Sequence, residues 1–174
     1  MNLGDIKEHL EALYKASIGI ILDRLERGIR ERKNFDKRLY KKIIEIISPE
    51  IMRDFFSELG INQFWNYHVR KIDTYLDHIL IPGKKFLDKK IQTAKETFDK
   101  SLQELQLFIS TEFFYSDHIE NLFLLQPELE KRVWNHDEGT MRYDELVQQL
   151  RILQKNTERS YESFVRIAQK RLHI

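Results

Sequence analysis

Apolar residues recur at intervals of three and four along almost the whole chain, the spacing that gathers them on one face of an α-helix. Ile6, Leu10, Leu13, Ser17, Ile21, Leu25 and Ile29 form one stripe, from about residue 5 to 32. Phe35, Leu39, Ile43 and Ile46 form a second, and Ile51, Phe55 and Leu59 a short third. Trp65, Val69, Ile72, Leu76 and Ile79 step four, three, four, three. Leu87, Ile91, Ala94, Phe98, Leu102, Leu105 and Ile109 mark a long helix, and Leu146, Leu150, Leu153, Thr157, Tyr161, Phe164, Ala168 and Leu172 another. Strict alternation is short, and the two places where a strand is conceivable, 42–47 and 105–114, both sit inside helical stripes.

Helix punctuation divides these stripes. Ser48-Pro49-Glu50 reads as an N-cap, a proline in the first turn and an acid that suits the helix dipole. Gly60 reads as a C′ glycine, after which Asn62 caps the next helix. Pro82-Gly83 stops that helix, Gln126-Pro127-Glu128 starts another, and Gly139-Thr140 separates it from the last. A turn is expected near Asn34. The prediction is an all-α fold, an elongated antiparallel bundle of about eight helices with three of them long. No linker rich in glycine, serine or proline divides the chain, so residues 1–174 read as a single helical-bundle domain. No repeat of fixed period indicates a solenoid.

Composition narrows the class further. Apolar residues make up 41% of the 174, and eleven Phe, seven Tyr and two Trp supply large side chains for a core. There is no cysteine, which excludes disulfides, thiolate metal sites and cysteine nucleophiles. The longest apolar run, Ile18 to Leu22, is far below the roughly 20 residues a spanning helix needs. Together with a start that lacks a signal pattern, this fits a cytoplasmic protein. The ending Tyr161-x-x-Phe164-Val165-x-x-Ala168 resembles the close of many bacterial helical proteins of unknown role.

Charge is distributed unevenly. Between Arg24 and Lys42 nine basic residues stand against Glu26, Glu31 and Asp36, giving +6 in a chain whose net charge is +1. At 100° per residue Arg24, Arg27, Arg30, Lys37, Arg38 and Lys41 fall opposite the apolar stripes and make an outward basic surface. Such a surface attracts acidic proteins or phosphates. Only Phe35 and Tyr40 are aromatic within it, and Phe35 belongs to the core stripe. With a single candidate ring for stacking, an acidic protein is the expected partner, ahead of nucleic acid or anionic lipid.

The residues of familiar catalytic sites are missing. No carboxylate stands three positions before any histidine, and no His-x-x-x-His occurs, so helical metal sites are not expected. Asp117, His118 and Glu120, and likewise His136, Asp137 and Glu138, read as solvated helix ends. Neither a nucleotide-binding glycine loop nor a Gly-x-Ser-x-Gly elbow is present. One pair carries a resemblance: Arg166 and His173, six residues between them, match the Arg-x4–6-His motif of HEPN-type ribonucleases. That resemblance implies metal-independent RNA cleavage, with His173 as general acid or base and Arg166 stabilising the scissile phosphate. The sequence departs from the family's pattern at Ile167, where a polar residue is usual.

The reading that best accounts for these features is a non-enzymatic helical interaction module that binds a protein partner or itself, with no cofactor. Surplus apolar surface supports it, in Phe55-Phe56, Phe113-Phe114-Tyr115 and Ile119-Leu122-Phe123-Leu124-Leu125, although full burial of these residues in the bundle is expected. Nucleic-acid association through residues 24–42 is the first alternative.

Overall fold

A computed structural model describes residues 3–79, 84–116, 118–126 and 137–174. The expected bundle of eight helices is not what the chain forms. The described residues build helices α1 (Leu3–Ile46), α2 (Pro49–Leu59), α3 (Asn66–Ile79), α4 (Lys89–Glu112) and α5 (Asp137–Leu172). A small antiparallel sheet accompanies them, with strands β1 (Gln63–Trp65), β2 (Phe113–Tyr115) and β3 (Leu122–Leu125).

No turn forms at Asn34, and α1 runs 44 residues without a break. Nothing from Asp5 to Ile46 is a proline, and the cost of Gly19 and Gly28 in a helix, about 1 kcal/mol each, is too small to interrupt it. The apolar positions on both sides of Asn34 share one arc of about 160°, so the two predicted stripes are one. α1 ends where Pro49 forces the residue before it out of the helical region. Ser48 is extended (φ −64°, ψ 160°) and its Oγ accepts from Ile51 N at 3.3 Å, as an N-cap does. The helix boundary expected at Gly139-Thr140 is also absent, because α5 starts at Asp137 and passes through both. The boundaries expected at Pro82-Gly83 and Pro127 lie outside the described residues.

α4 and α5 pack antiparallel as the central pair, joined by Thr157 to Ser101 O (3.0 Å), Ser101 to Ser160 (2.5 Å) and Arg171 to Asp88 (2.6 Å). Phe98, fully buried, lies between α3 and α5, with ring centres 5.6 Å from Tyr75, 5.2 Å from Tyr161 and 6.2 Å from Phe164. The C-terminal half of α1 closes this layer through Tyr40 on Phe164 and the Tyr161 hydroxyl on Ile47 O at 2.7 Å. Lys95, buried, ion-pairs with Asp99, which also accepts from Tyr75. Burial first, and then the Asp99 charge, push the Tyr75 phenol well above its usual range.

The sheet is the main departure from the expected all-α chain. β3 lies between β1 and β2, pairing Phe64 with Phe123 and Tyr115 with Phe123. Its buried face stacks Phe64 on Phe113 and Phe123, each at 4.9 Å. Asn62 does not cap a helix. It sits at φ 60° ahead of β1, and its carbonyl accepts from Leu125 N at 3.0 Å. Gly60, expected in the left-handed region, is helical at φ −58°, and a Cβ there would come within 2.8 Å of Ser57 O. Of the surplus aromatics, Phe55, Phe56 and Phe113 are buried, while Phe114 and Tyr115 are exposed.

Candidate functional site

Because α1 is unbroken, its basic residues form a single stripe. Arg24, Arg27, Arg30, Lys37, Arg38 and Lys41 fall within an arc of about 140°. All are exposed except Lys37, which is half-buried. Arg30 reaches Glu26 one turn away at 3.4 Å, a solvent-exposed pair worth about 0.3–0.5 kcal/mol. Tyr40, the one aromatic expected to be available for stacking, is buried against Phe164.

The apolar stripe of the same helix changes character along its length. Leu39, Tyr40, Ile43 and Ile47 are in the core. Ile18, Ile21, Leu22, Leu25 and Ile29, which continue the same line toward the N-terminus, are exposed, Leu25 at 59% and Ile29 at 65%. The apolar side of the basic segment therefore belongs to the core only in its second half.

A second group of cations, absent from the sequence reading, joins the C-terminal half of α1. The run Lys84-Lys85-Phe86-Leu87-Asp88-Lys89-Lys90 leads into α4 and is tied down on three sides. Asp36, buried in α1, accepts from Leu87 N at 2.8 Å and from Asp88 N at 2.9 Å. Phe86 packs on Phe164, and its N–H donates to Gln92 at 2.8 Å. Asp88 caps α4 through Lys90 N and Ile91 N and takes a two-point contact from Arg171. Burial pushes the Asp88 carboxyl up, but the Arg171 hydrogen bond and those two N–H groups outweigh it and hold the pKa below the ordinary value.

Three cavities surround this strap. One of about 680 Å³ lies between α4 and α5, lined by Lys89, Lys90, Lys170 and Arg171 together with threonine and serine hydroxyls. A second, of about 500 Å³, shares Lys89, Lys90 and Arg171 with it and reaches Arg32 and Lys33 of α1. The third, of about 290 Å³, is lined by Phe35, Arg38, Leu39, Lys42, His78 and Lys84. The basic surface is thus assembled from α1, the strap, α4 and α5. The part of it outside α1 was signalled in the sequence by the lysine pairs at 84–85 and 89–90, and their distance along the chain from Lys42 concealed the convergence.

The remaining candidates stand apart from this surface. Arg166 is exposed on α5, and His173, also exposed, follows the helix end at φ 55°. Among the described residues no side-chain hydrogen bond or ion pair joins either to another group. No cluster of three metal-ligating side chains occurs among the described residues, and none of the described helices is long and apolar enough to cross a membrane. In comparisons with known proteins, no family model and no solved structure matches the chain.

Proposed function

We propose that the protein is a non-enzymatic helical interaction module whose docking element is the stretch of α1 from Ile18 to Ile29, and that it pairs there with a second copy of itself. The observation that carries this reading is the apolar stripe that leaves the core and continues exposed through Ile18, Leu22, Leu25 and Ile29. Steps of four, three and four are those by which one helix meets another along a seam. The flanks support self-pairing. At 100° per residue Glu26 falls on one border of this stripe and Arg24 on the other, so two copies offer each other both signs of charge.

The energetics favour a reversible contact. The five exposed apolar residues, Ile21 included, leave about 2.7 side chains' worth of surface in water. At about 2 kcal/mol per buried side chain, two copies gain about 11 kcal/mol before the cost of association. That cost is about 4–15 kcal/mol, which leaves micromolar affinity or weaker. The basic surface from Lys33 onward is left free in such a pair for an acidic partner.

Sedimentation over a range of concentration tests the reading. Wild type is expected to shift from monomer to dimer, and Leu25→Asp to remain monomeric with an unchanged far-ultraviolet spectrum. A wild-type chain that stays monomeric at several hundred micromolar refutes self-pairing.

A further inference from the structure

We propose that Arg38, Lys42, His78 and Lys84 form a binding site for a phosphate monoester. Three separate elements supply it. α1 contributes Arg38 and Lys42, one helical turn apart, α3 contributes His78 from its last turn, and the strap before α4 contributes Lys84. Phe35 and Leu39 complete the cavity of about 290 Å³.

Among the described residues no carboxylate lines this cavity, which sets its cations apart from three others of the fold that are ion-paired. Lys95 has Asp99, Arg171 has Asp88 and Arg30 has Glu26. Among the described residues, Arg38, Lys42 and Lys84 have no acidic partner within ion-pair distance. Three cations around one concave surface repel each other, and a bound dianion turns that repulsion into attraction.

The histidine provides a second, independent observation. Lys84 Nζ lies 2.9 Å from His78 Nδ1. An ammonium group only donates, so Nδ1 accepts and the proton of the neutral ring is on Nε2. His78 Nε2 is shielded from solvent and, among the described residues, has no hydrogen-bond partner. A buried donor left unpaired costs about 1–3 kcal/mol, which an oxyanion accepting from it removes. Burial, followed by the charges of Lys84, Lys42 and Lys95, holds the imidazole below its usual pKa. The groups acting on the ring are therefore all cationic, and Lys95 is already neutralised by Asp99.

The donor set selects the ligand class. A guanidinium fork, two ammonium groups and an imidazole N–H supply more donors than the two oxygens of a carboxylate can take. They match the three terminal oxygens and double charge of a phosphate monoester. Phe35 and Leu39 give the ester's organic group an apolar wall. A small free phosphate and a phosphorylated side chain present the same chemistry, and the site accepts either. The inference does not rest on self-pairing through α1, since none of its residues lies in the exposed stripe.

Titration of the His78 ring followed by nitrogen-detected NMR tests it. The protein is compared in glycerol 3-phosphate, in O-phosphoserine and in sodium chloride of equal ionic strength. Either phosphate is expected to raise the His78 pKa by about one pH unit, a tenfold change in proton affinity. A larger rise with one of the two identifies the source and upholds the site. Arg38→Gln and Lys42→Gln are expected to weaken phosphate binding at least about tenfold, whereas Lys90→Gln, outside this cavity, leaves it unchanged. A His78 titration identical in phosphate and chloride overturns the proposal. So does equal weakening by Lys90→Gln, which would reveal only diffuse attraction.

Discussion

Replacing Asp36 by alanine tests the joint that holds the basic surface together. Its carboxylate is 2% exposed and accepts two backbone N–H groups of the strap, at 2.8 and 2.9 Å. A hydrogen bond to a charged group contributes about 1.5–3 kcal/mol, so losing both costs about 3–5 kcal/mol once the stranded N–H groups are counted. That is a large share of the 5–15 kcal/mol that typically holds a domain folded. Asparagine is expected to cost about half as much, because its oxygen keeps one bond while its amide directs a donor at the other N–H. Glu26→Ala serves as the internal comparison. It removes an acid from the same charged segment but from an exposed pair, with an expected cost below about 0.5 kcal/mol. Urea unfolding followed by circular dichroism gives the three values, and hydrogen exchange at Leu87 and Asp88 reports the joint directly. If Asp36→Ala loses less than about 1 kcal/mol and both amides stay protected, the anchoring role assigned to Asp36 is wrong.

Arg151 donates to Leu59 O and Gly60 O, both at 2.7 Å, and to Asn62 Oδ1, tying α5 to the end of α2. Arg151→Lys, which keeps the charge but loses the planar fork, is expected to cost about 2–3 kcal/mol in urea unfolding. The Asp88 pKa is lowered in the folded state, so its stabilising effect is complete above the unfolded value and fades as pH falls through the folded one. The stability difference between wild type and Arg171→Met is therefore expected to be largest near neutral pH and to shrink toward pH 2 in acid-to-neutral denaturation series. A difference that grows on acidification would contradict this assignment.

What was legible in the sequence follows the range of the interactions involved. The stripes of α4 and α5 were readable because a period of 3.6 repeats over many turns within each segment. The stop at Ser48-Pro49 was readable because proline acts on the residue next to it. The division at Asn34 was misplaced. An exposed asparagine without glycine or proline does not break a helix whose apolar arc keeps its phase on both sides. β3 was hidden because Leu122-Phe123-Leu124-Leu125 is apolar throughout, which fits a short buried strand as well as a helix. What makes it a strand is pairing with Gln63–Trp65 some 60 residues away, beyond any local pattern. The basic surface was half visible for the same reason. Its α1 residues are contiguous in sequence, but Lys84, His78 and Arg171 arrive through tertiary contacts. Asp36 looked like one more solvated acid until the strap supplied its two donors.

The continuity of α1 also sets a fixed distance and phase. Leu25 on the exposed stripe and Lys42 at the phosphate cavity are joined by 17 helical steps, about 25 Å along one axis. Whatever binds at one place is therefore held at a set angle to whatever binds at the other, as marks are on a ruler. Inserting one alanine after Glu31 would turn the N-terminal seam by about 100° relative to the cavity, whereas inserting four would turn it by only about 40°. Two binding events coupled by geometry would separate after the first change and largely recover after the second.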